Sequence, residues 1–207
     1  DAGPLRALRT QRIAFADEAG NVTGEIGQSQ RCAAFDHVGE TWVRPKTRHA
    51  APQRGRLPAL VDVLVERVGR RTGLPVERKE LLLTGGGTGG LGAVVGATVQ
   101  PGDEVLLLAP YWPLIAGIVR TFGGVPVPVP VLQGASPTAG ELQAAIAAAA
   151  TPRTVAIYLN TPNNPTGRVL SAAAVEAVAR TATDRGWWIY ADEVYEDLLY
   201  EGEHTWT

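Results

Sequence analysis

The chain has 207 residues, 45% hydrophobic and 19% charged, with a formal net charge of −2. This is an ordinary globular composition. It lacks the basic excess that nucleic acid or an anionic membrane surface would call for, and no run approaches the ~20 apolar residues of a membrane-spanning helix. The single cysteine, Cys32, excludes an internal disulfide.

The start, Asp1-Ala2-Gly3-Pro4, carries no charged-then-apolar signal pattern, so cytoplasmic residence is the default expectation. The chain contains no methionine, which points to a trimmed N-terminus. Residues 1–50 are weakly periodic and read as an N-terminal segment with one helix at 5–15. From residue 57 the pattern turns regular. Leu57, Leu60, Val61, Leu64, Val65 and Val68 recur at helical spacing. Residues 81–83 form a short apolar run that reads as a strand, followed by the glycine-rich stretch 85–90 and a small-residue helix over 91–99. Pro101-Gly102-Asp103 is a turn, 104–109 a strand, and 113–122 a helix stopped by Gly123-Gly124.

Residues 125–131 alternate valine with Pro126, Pro128 and Pro130, which confines them to an edge strand or an extended loop, because proline gives no ladder donor. Thr138 and Glu141 form a capping box ahead of an alanine-rich helix ending at Ala150, with Leu142 and Ile146 on its buried face. The runs 154–159 and 187–191 read as buried strands, and between them Ser171 caps a helix that Gly186 ends. Short apolar strands alternating with helices imply an α/β fold around a mostly parallel sheet.

The polar clusters fall at strand ends, where open parallel sheets hold ligands. Gly85-Gly86-Gly87-Thr88-Gly89-Gly90 lies between a strand and a helix, and bare glycines there let backbone amides approach a phosphate. The string satisfies the dinucleotide pattern G-x-G-x-x-G. The nearby acids Asp103 and Glu104 precede the next strand, however, at the wrong end to hold a ribose. No lysine follows the glycines, so a monophosphate fits better than a pyrophosphate or triphosphate. Tyr111-Trp112 closes one strand, and a flat ring at that edge packs the rim or stacks on a planar ligand. Asn163-Asn164-Pro165-Thr166-Gly167 is turn chemistry in a fixed order, with Asn164–Pro165 a candidate cis peptide. Asp192 ends an apolar strand, where a carboxylate needs a cation, and a protonated heterocyclic nitrogen is one such partner. Tyr195, three residues on, falls on the same side if a helical turn begins there.

In this order and spacing, these motifs resemble the pyridoxal-phosphate enzymes of fold type I, specifically the class I/II aminotransferases. The likeness runs from about Gly55 to Glu203 and includes Gly55-Arg-Leu-Pro-Ala-Leu60, Pro101-Gly-Asp-Glu-Val105, Ala109-Pro-Tyr-Trp112 and Asp192-Glu-Val-Tyr195. It implies a three-layer large domain over 51–207, incomplete, with 1–50 contributing to a small domain. It implies pyridoxal 5'-phosphate as cofactor, an amino acid and a 2-oxo acid as substrates, and a homodimer with shared active sites. By the same resemblance Gly87, Thr88 and Gly89 hold the phosphate and Trp112 stacks on the pyridine ring. Asn164 and Tyr195 bond its phenolic oxygen, Asp192 pairs with the ring nitrogen, and Gly39 contacts the substrate carboxylate.

Two departures stand out. The family's phosphate-reaching tyrosine is absent before Gly55, where Arg48 and His49 stand instead. The family's Schiff-base lysine is expected beyond Thr207, because Lys46 and Lys79, the only lysines, lie in unrelated contexts. A C–S β-lyase, another fold type I enzyme or a non-catalytic cofactor-sensing domain share the scaffold. A nicotinamide-dependent oxidoreductase rests on the glycine string alone.

Overall fold

A computed structural model describes residues 57–201 together with the strand backbones at 15–16, 22–27 and 32–36. The expected helix at 5–15 falls outside the described residues except for its last residue, which stands in a strand, and Gly39, Lys46, Arg48 and His49 fall outside them too.

Among the described residues seven strands form one sheet: β1 (Phe15–Ala16), β2 (Val22–Gly27), β3 (Cys32–Asp36), β4 (Glu104–Ala109), β5 (Val125–Pro130), β6 (Thr154–Asn160) and β7 (Trp188–Val194). Their spatial order is β1-β2-β3-β7-β6-β4-β5. The pairs β3–β7, β7–β6, β6–β4 and β4–β5 are parallel, and β1–β2 and β2–β3 antiparallel. The helices are α1 (Leu57–Thr72), α2 (Gly86–Thr98), α3 (Leu114–Thr121), α4 (Ala139–Ala149) and α5 (Ala172–Arg185).

Side-chain alternation splits the core into two layers. On one face Val105 and Leu107 of β4, Tyr158 of β6 and Tyr190 of β7 meet Leu91, Val94 and Val95 of α2 and Ile115 and Val119 of α3. On the other, Leu106, Leu108, Ile157, Leu159 and Ile189 meet Leu142 and Ile146 of α4 and Val175 and Val178 of α5. Every residue of β4 from Glu104 to Leu108 is buried, as expected of a strand covered on both faces. The fold is therefore a three-layer α/β arrangement with helices on both sides of a mostly parallel sheet, as the sequence pattern implies.

Among the described strands, β5 forms one edge of the sheet, opposite β1. The Val125 amide bonds the Asp103 carbonyl at 2.7 Å, so the alternating valines face β4 and the proline nitrogens face the open side. A missing donor costs nothing there and blunts the edge against further pairing.

Local chemistry explains the helix ends. Thr138 Oγ1 accepts from the Glu141 amide at 3.2 Å and Glu141 Oε2 from the Thr138 amide at 2.8 Å, completing the expected box. Ser171 Oγ accepts from the Ala174 amide at 3.3 Å, and Gly186 ends α5 with φ 68°, a conformation that favours glycine.

Two expectations need correction. Residues 81–83 are extended, with Leu81 at φ −108° and ψ 131°, but pair with no strand. Leu81 and Leu83 instead pack against Leu64 and Val68 of α1, so the apolar run serves a satellite cluster. Helix α2 starts at Gly86 rather than Leu91. Glycine is a poor helix former, so the sequence hides this first turn. Packing of Leu91, Val94 and Val95 against the sheet overrides that preference. Farther along α2, Gly96 lets the helix lie close to Phe122, whose ring would stand 2.7 Å from an added Cβ.

Candidate functional site

The short turn through Pro101–Asp103 joins α2 to β4, so the two run in opposite directions along one face. Thirteen helical residues and six strand residues both span about 20 Å. The N-terminus of α2 is thus level with the carboxyl ends of the strands. Gly86 adopts φ 80°, its amide bonds the Thr84 carbonyl at 3.0 Å, and the N-cap Gly85 has no side chain to cap the helix. The amides of Gly87 and Thr88, second and third in the helix, have no intrahelical acceptor available, while that of Gly89 is the first that can reach back, to the Gly85 carbonyl. The Thr88 side chain is exposed beside them.

Three strand ends are sewn together by asparagines. Asn160, the last residue of β6, donates from Nδ2 to the Asp192 carbonyl at 2.8 Å, and its Oδ1 accepts from the Asn164 amide at 2.6 Å. Asn163 donates from Nδ2 to the Pro110 carbonyl at 3.2 Å and accepts from the Thr166 hydroxyl at 2.7 Å. The Asn164–Pro165 bond is cis, as expected, and so are Ala109–Pro110 and Thr161–Pro162. Asn160 and Asn163 are both 2% exposed and build the loop. The half-buried Asn164 is left with its side chain pointing to Tyr195, Nδ2 to Oη at 3.5 Å.

Asp192 lies inside β7 rather than at its end, because the strand continues to Val194. Its side chain is buried on the face that carries α2. Burial pushes the carboxyl up to about 6, opposed by hydrogen bonds from the Tyr158 hydroxyl and the Val194 amide. The Tyr158 hydroxyl donates to Asp192 Oδ2 at 2.5 Å, and the Val194 amide reaches Oδ1 at 3.4 Å. Among the described residues no arginine, lysine or histidine pairs with this carboxylate. Tyr195 opens the turn after β7, and that turn is tied to α1 by Arg67 and Arg71 on Glu196 and Asp197, with Arg71 Nη2 2.9 Å from Asp197. Trp112 is half-buried against the same layer, next to Tyr111.

The structure thus joins Asn164, Asp192 and Tyr195 in one cluster and sets Trp112 and the Gly87–Gly89 amides on the same face. Gly39 is outside the described residues. Sequence reasoning missed Tyr158, which it took for an ordinary strand residue. Parity could have found it, since Tyr158 and Asn160 alternate onto one face of β6 and Asn160 is already at the site. Chemically, a buried acid without a cation suits a protonated heteroaromatic nitrogen. The amide–phenol pair of Asn164 and Tyr195 suits an oxygen on the same ring, and unpaired helix amides suit a phosphate.

The family model for aminotransferase class I and II matches residues 33–207. The chain is 42% identical over 161 residues to an aspartate/prephenate aminotransferase of Thermus thermophilus, covering 77% of this chain and 40% of that protein. It is 38% identical to an arginine–pyruvate transaminase of Pseudomonas aeruginosa, covering 75% of this chain and 39% of that protein. Among solved structures, the Thermus thermophilus aspartate aminotransferase with maleate superposes with a TM-score of 0.63 at 40% identity, covering 71% of this chain and 38% of that one. The chain therefore spans about two fifths of the length of the curated relatives it matches. Members of the matching family use pyridoxal 5'-phosphate. On the family match and these identities together, the chain belongs to the class I and II aminotransferases.

Proposed function

We propose that the protein to which this chain belongs is a pyridoxal 5'-phosphate-dependent aminotransferase that moves an amino group between an amino acid and a 2-oxo acid. One observation carries the reading. Asp192 is a buried carboxylate with no cation among the described residues, set beside the Asn164–Tyr195 pair. Nothing in a core requires such a group, and it suits the ring nitrogen of this cofactor.

In this reading the amides of Gly87, Thr88 and Gly89 and the Thr88 hydroxyl bind the phosphate, and Trp112 covers the ring. Asn164 and Tyr195 orient the ring through its phenolic oxygen, and Gly39 contacts the substrate carboxylate. Asp192 holds a proton at the ring nitrogen, its carboxylate stabilising the cationic form. Bound there, the cofactor supplies an electron sink for the substrate carbon that loses its proton. The lysine that accepts and returns that proton is expected from sequence beyond Thr207. The relatives' names include aspartate, prephenate and arginine, so the amino acid is left as a class. Cytoplasmic residence and a homodimer complete the proposal. Among the described residues no helix is long and apolar enough to cross a membrane. Leu198 and Tyr200, both exposed, follow the turn tied to α1 and offer apolar surface to a second copy.

The test uses the full-length protein. Added pyridoxal 5'-phosphate should give a protein-bound absorbance band near the visible edge, and amino transfer should follow with at least one amino acid in a panel of 2-oxo acid acceptors. The 207-residue chain alone should bind the cofactor weakly and transfer nothing. A full-length protein with neither band nor transfer would end the proposal.

A further inference from the structure

Tyr158 and Tyr190 stand side by side, register partners on adjacent strands and both buried in the same layer. Packing asks only for their rings. The Tyr190 hydroxyl meets Thr98 Oγ1 of α2 at 2.5 Å, a contact internal to the core. The Tyr158 hydroxyl instead reaches diagonally along β7 to Asp192 Oδ2, two residues beyond its register partner. That bond occupies one oxygen of the acid and anchors the carboxyl plane to a rigid strand. Oδ1 is left with a long 3.4 Å contact from the Val194 amide.

We propose that Tyr158 is a positioning residue: its hydroxyl fixes the Asp192 carboxylate through Oδ2, so that Oδ1 is left to pair with a protonated ring nitrogen. The proposal rests on the cofactor reading above and adds to it a residue that touches neither cofactor nor substrate. The phenol is a suitable anchor because it does not titrate near neutrality. Burial, followed by the charge of Asp192, raises it well above the ordinary tyrosine range. It therefore remains a donor whenever Asp192 is ionised. The other titratable groups about the pair are Glu193, next to Asp192 on β7, Tyr195 in the following turn, and Tyr111 and Tyr190 in the same layer.

The experiment compares two ligands on the full-length apoprotein: pyridoxal 5'-phosphate and its analogue with carbon in place of the ring nitrogen. Wild type should bind the first more tightly. Tyr158→Phe should cut that preference at least about tenfold, the low end for losing a hydrogen bond to a charged group, and leave affinity for the carbon analogue nearly unchanged. Tyr190→Phe should leave the preference intact. Equal losses for both ligands, or no loss for either, would overturn the positioning role while leaving the cofactor reading standing. A wild type that binds no pyridoxal 5'-phosphate would overturn both. Should Tyr158→Phe melt too readily to assay, 3-fluorotyrosine incorporated into otherwise native protein gives a second measurement. The fluorine signal of residue 158 should follow the Asp192 titration near pH 6 and lose that inflection in Asp192→Asn. A signal flat through that range would overturn the proposal.

Discussion

Glu104 and Asp192 are buried carboxylates of one sheet, 4% and 6% exposed, Glu104 at the amino end of β4 and Asp192 in the carboxyl half of β7. Glu104 opens β4 and is fully provided for. Thr151 Oγ1 donates to its Oε2 at 2.6 Å, and Arg153 holds Oε1 through Nη2 at 2.6 Å and Nε at 3.1 Å. The Thr151 hydroxyl, with Arg153 behind it, keeps that carboxyl below the usual glutamate range in spite of desolvation. Asp192, near the end of β7, has one phenol and a distant amide, and its carboxyl rises to about 6. The same fold solves the burial problem at one edge and leaves it open at the other. In the proposed reading, the costly acid near the ligand edge of the sheet is the one a cationic ring would compensate.

The sharpest way to break the comparison is to neutralise each acid in the full-length protein. Asp192→Asn should lower kcat/KM for amino transfer by roughly 10³-fold, the scale of a lost electrostatic partner at the reacting centre, while Glu104→Gln should leave kcat/KM within about twofold. A comparable loss of rate in both variants would remove the distinction.

Stability should move the other way. The Asp192 carboxyl is raised in the folded apoprotein, so the folded state holds its proton to higher pH than the unfolded chain. Its contribution therefore favours folding at low pH and is lost as pH rises from about 4 to about 6. A difference of about two pKa units corresponds to about 3 kcal/mol above that window. Asp192→Asn should thus stabilise the apoprotein at pH 8 by up to about 3 kcal/mol and change little at pH 4, measured by urea unfolding. Glu104 has the opposite sign. Its carboxyl is lowered, so its contribution is present above pH 4.5 and fades as pH falls through the folded value. Glu104→Gln should cost about 2 kcal/mol at pH 7, because the Thr151 hydroxyl and Arg153 lose a charged acceptor. A Gln variant as stable as wild type at pH 7 would mean that Glu104 is no better served than Asp192.

How much of this contrast is legible in the sequence depends on range. The strands β4, β6 and β7, the capped helices α4 and α5 and the proline-marked edge β5 follow from local patterns, because period and turn chemistry act over a few residues. By contrast, β1, β2 and β3 lie in the weakly periodic residues 1–50, where the sequence points to a helix at 5–15 instead. Asn164, Asp192 and Tyr195 are visible as polar residues where polar residues are not needed. The first turn of α2 is hidden because packing decides it against glycine's own preference. The lone run 81–83 misleads because an apolar triplet serves a satellite cluster as well as a ladder. Tyr158 is invisible as a site residue until the register of β6 on β7 sets its hydroxyl against Asp192. The partners of Glu104 are equally non-local, since nothing in the sequence says that residues 151–154 return to the start of β4.

The smallest effects ask which partner holds Glu104. Arg153 supplies the formal charge, but its side chain is 69% exposed, so water already serves much of it. Thr151 is a neutral donor, yet its 2.6 Å bond to Oε2 has the largest effect on the acid. Exposed ion pairs contribute about 0–1 kcal/mol, whereas a short hydrogen bond to a charged group contributes about 1.5–3 kcal/mol. Thr151→Val should therefore destabilise the full-length protein more than Arg153→Met at pH 7, by about 1 kcal/mol. It should also raise the acid limb of the stability profile further. If Arg153→Met proves the more costly, the amino edge is held by its cation. Its contrast with Asp192 then reduces to the presence or absence of one positive charge.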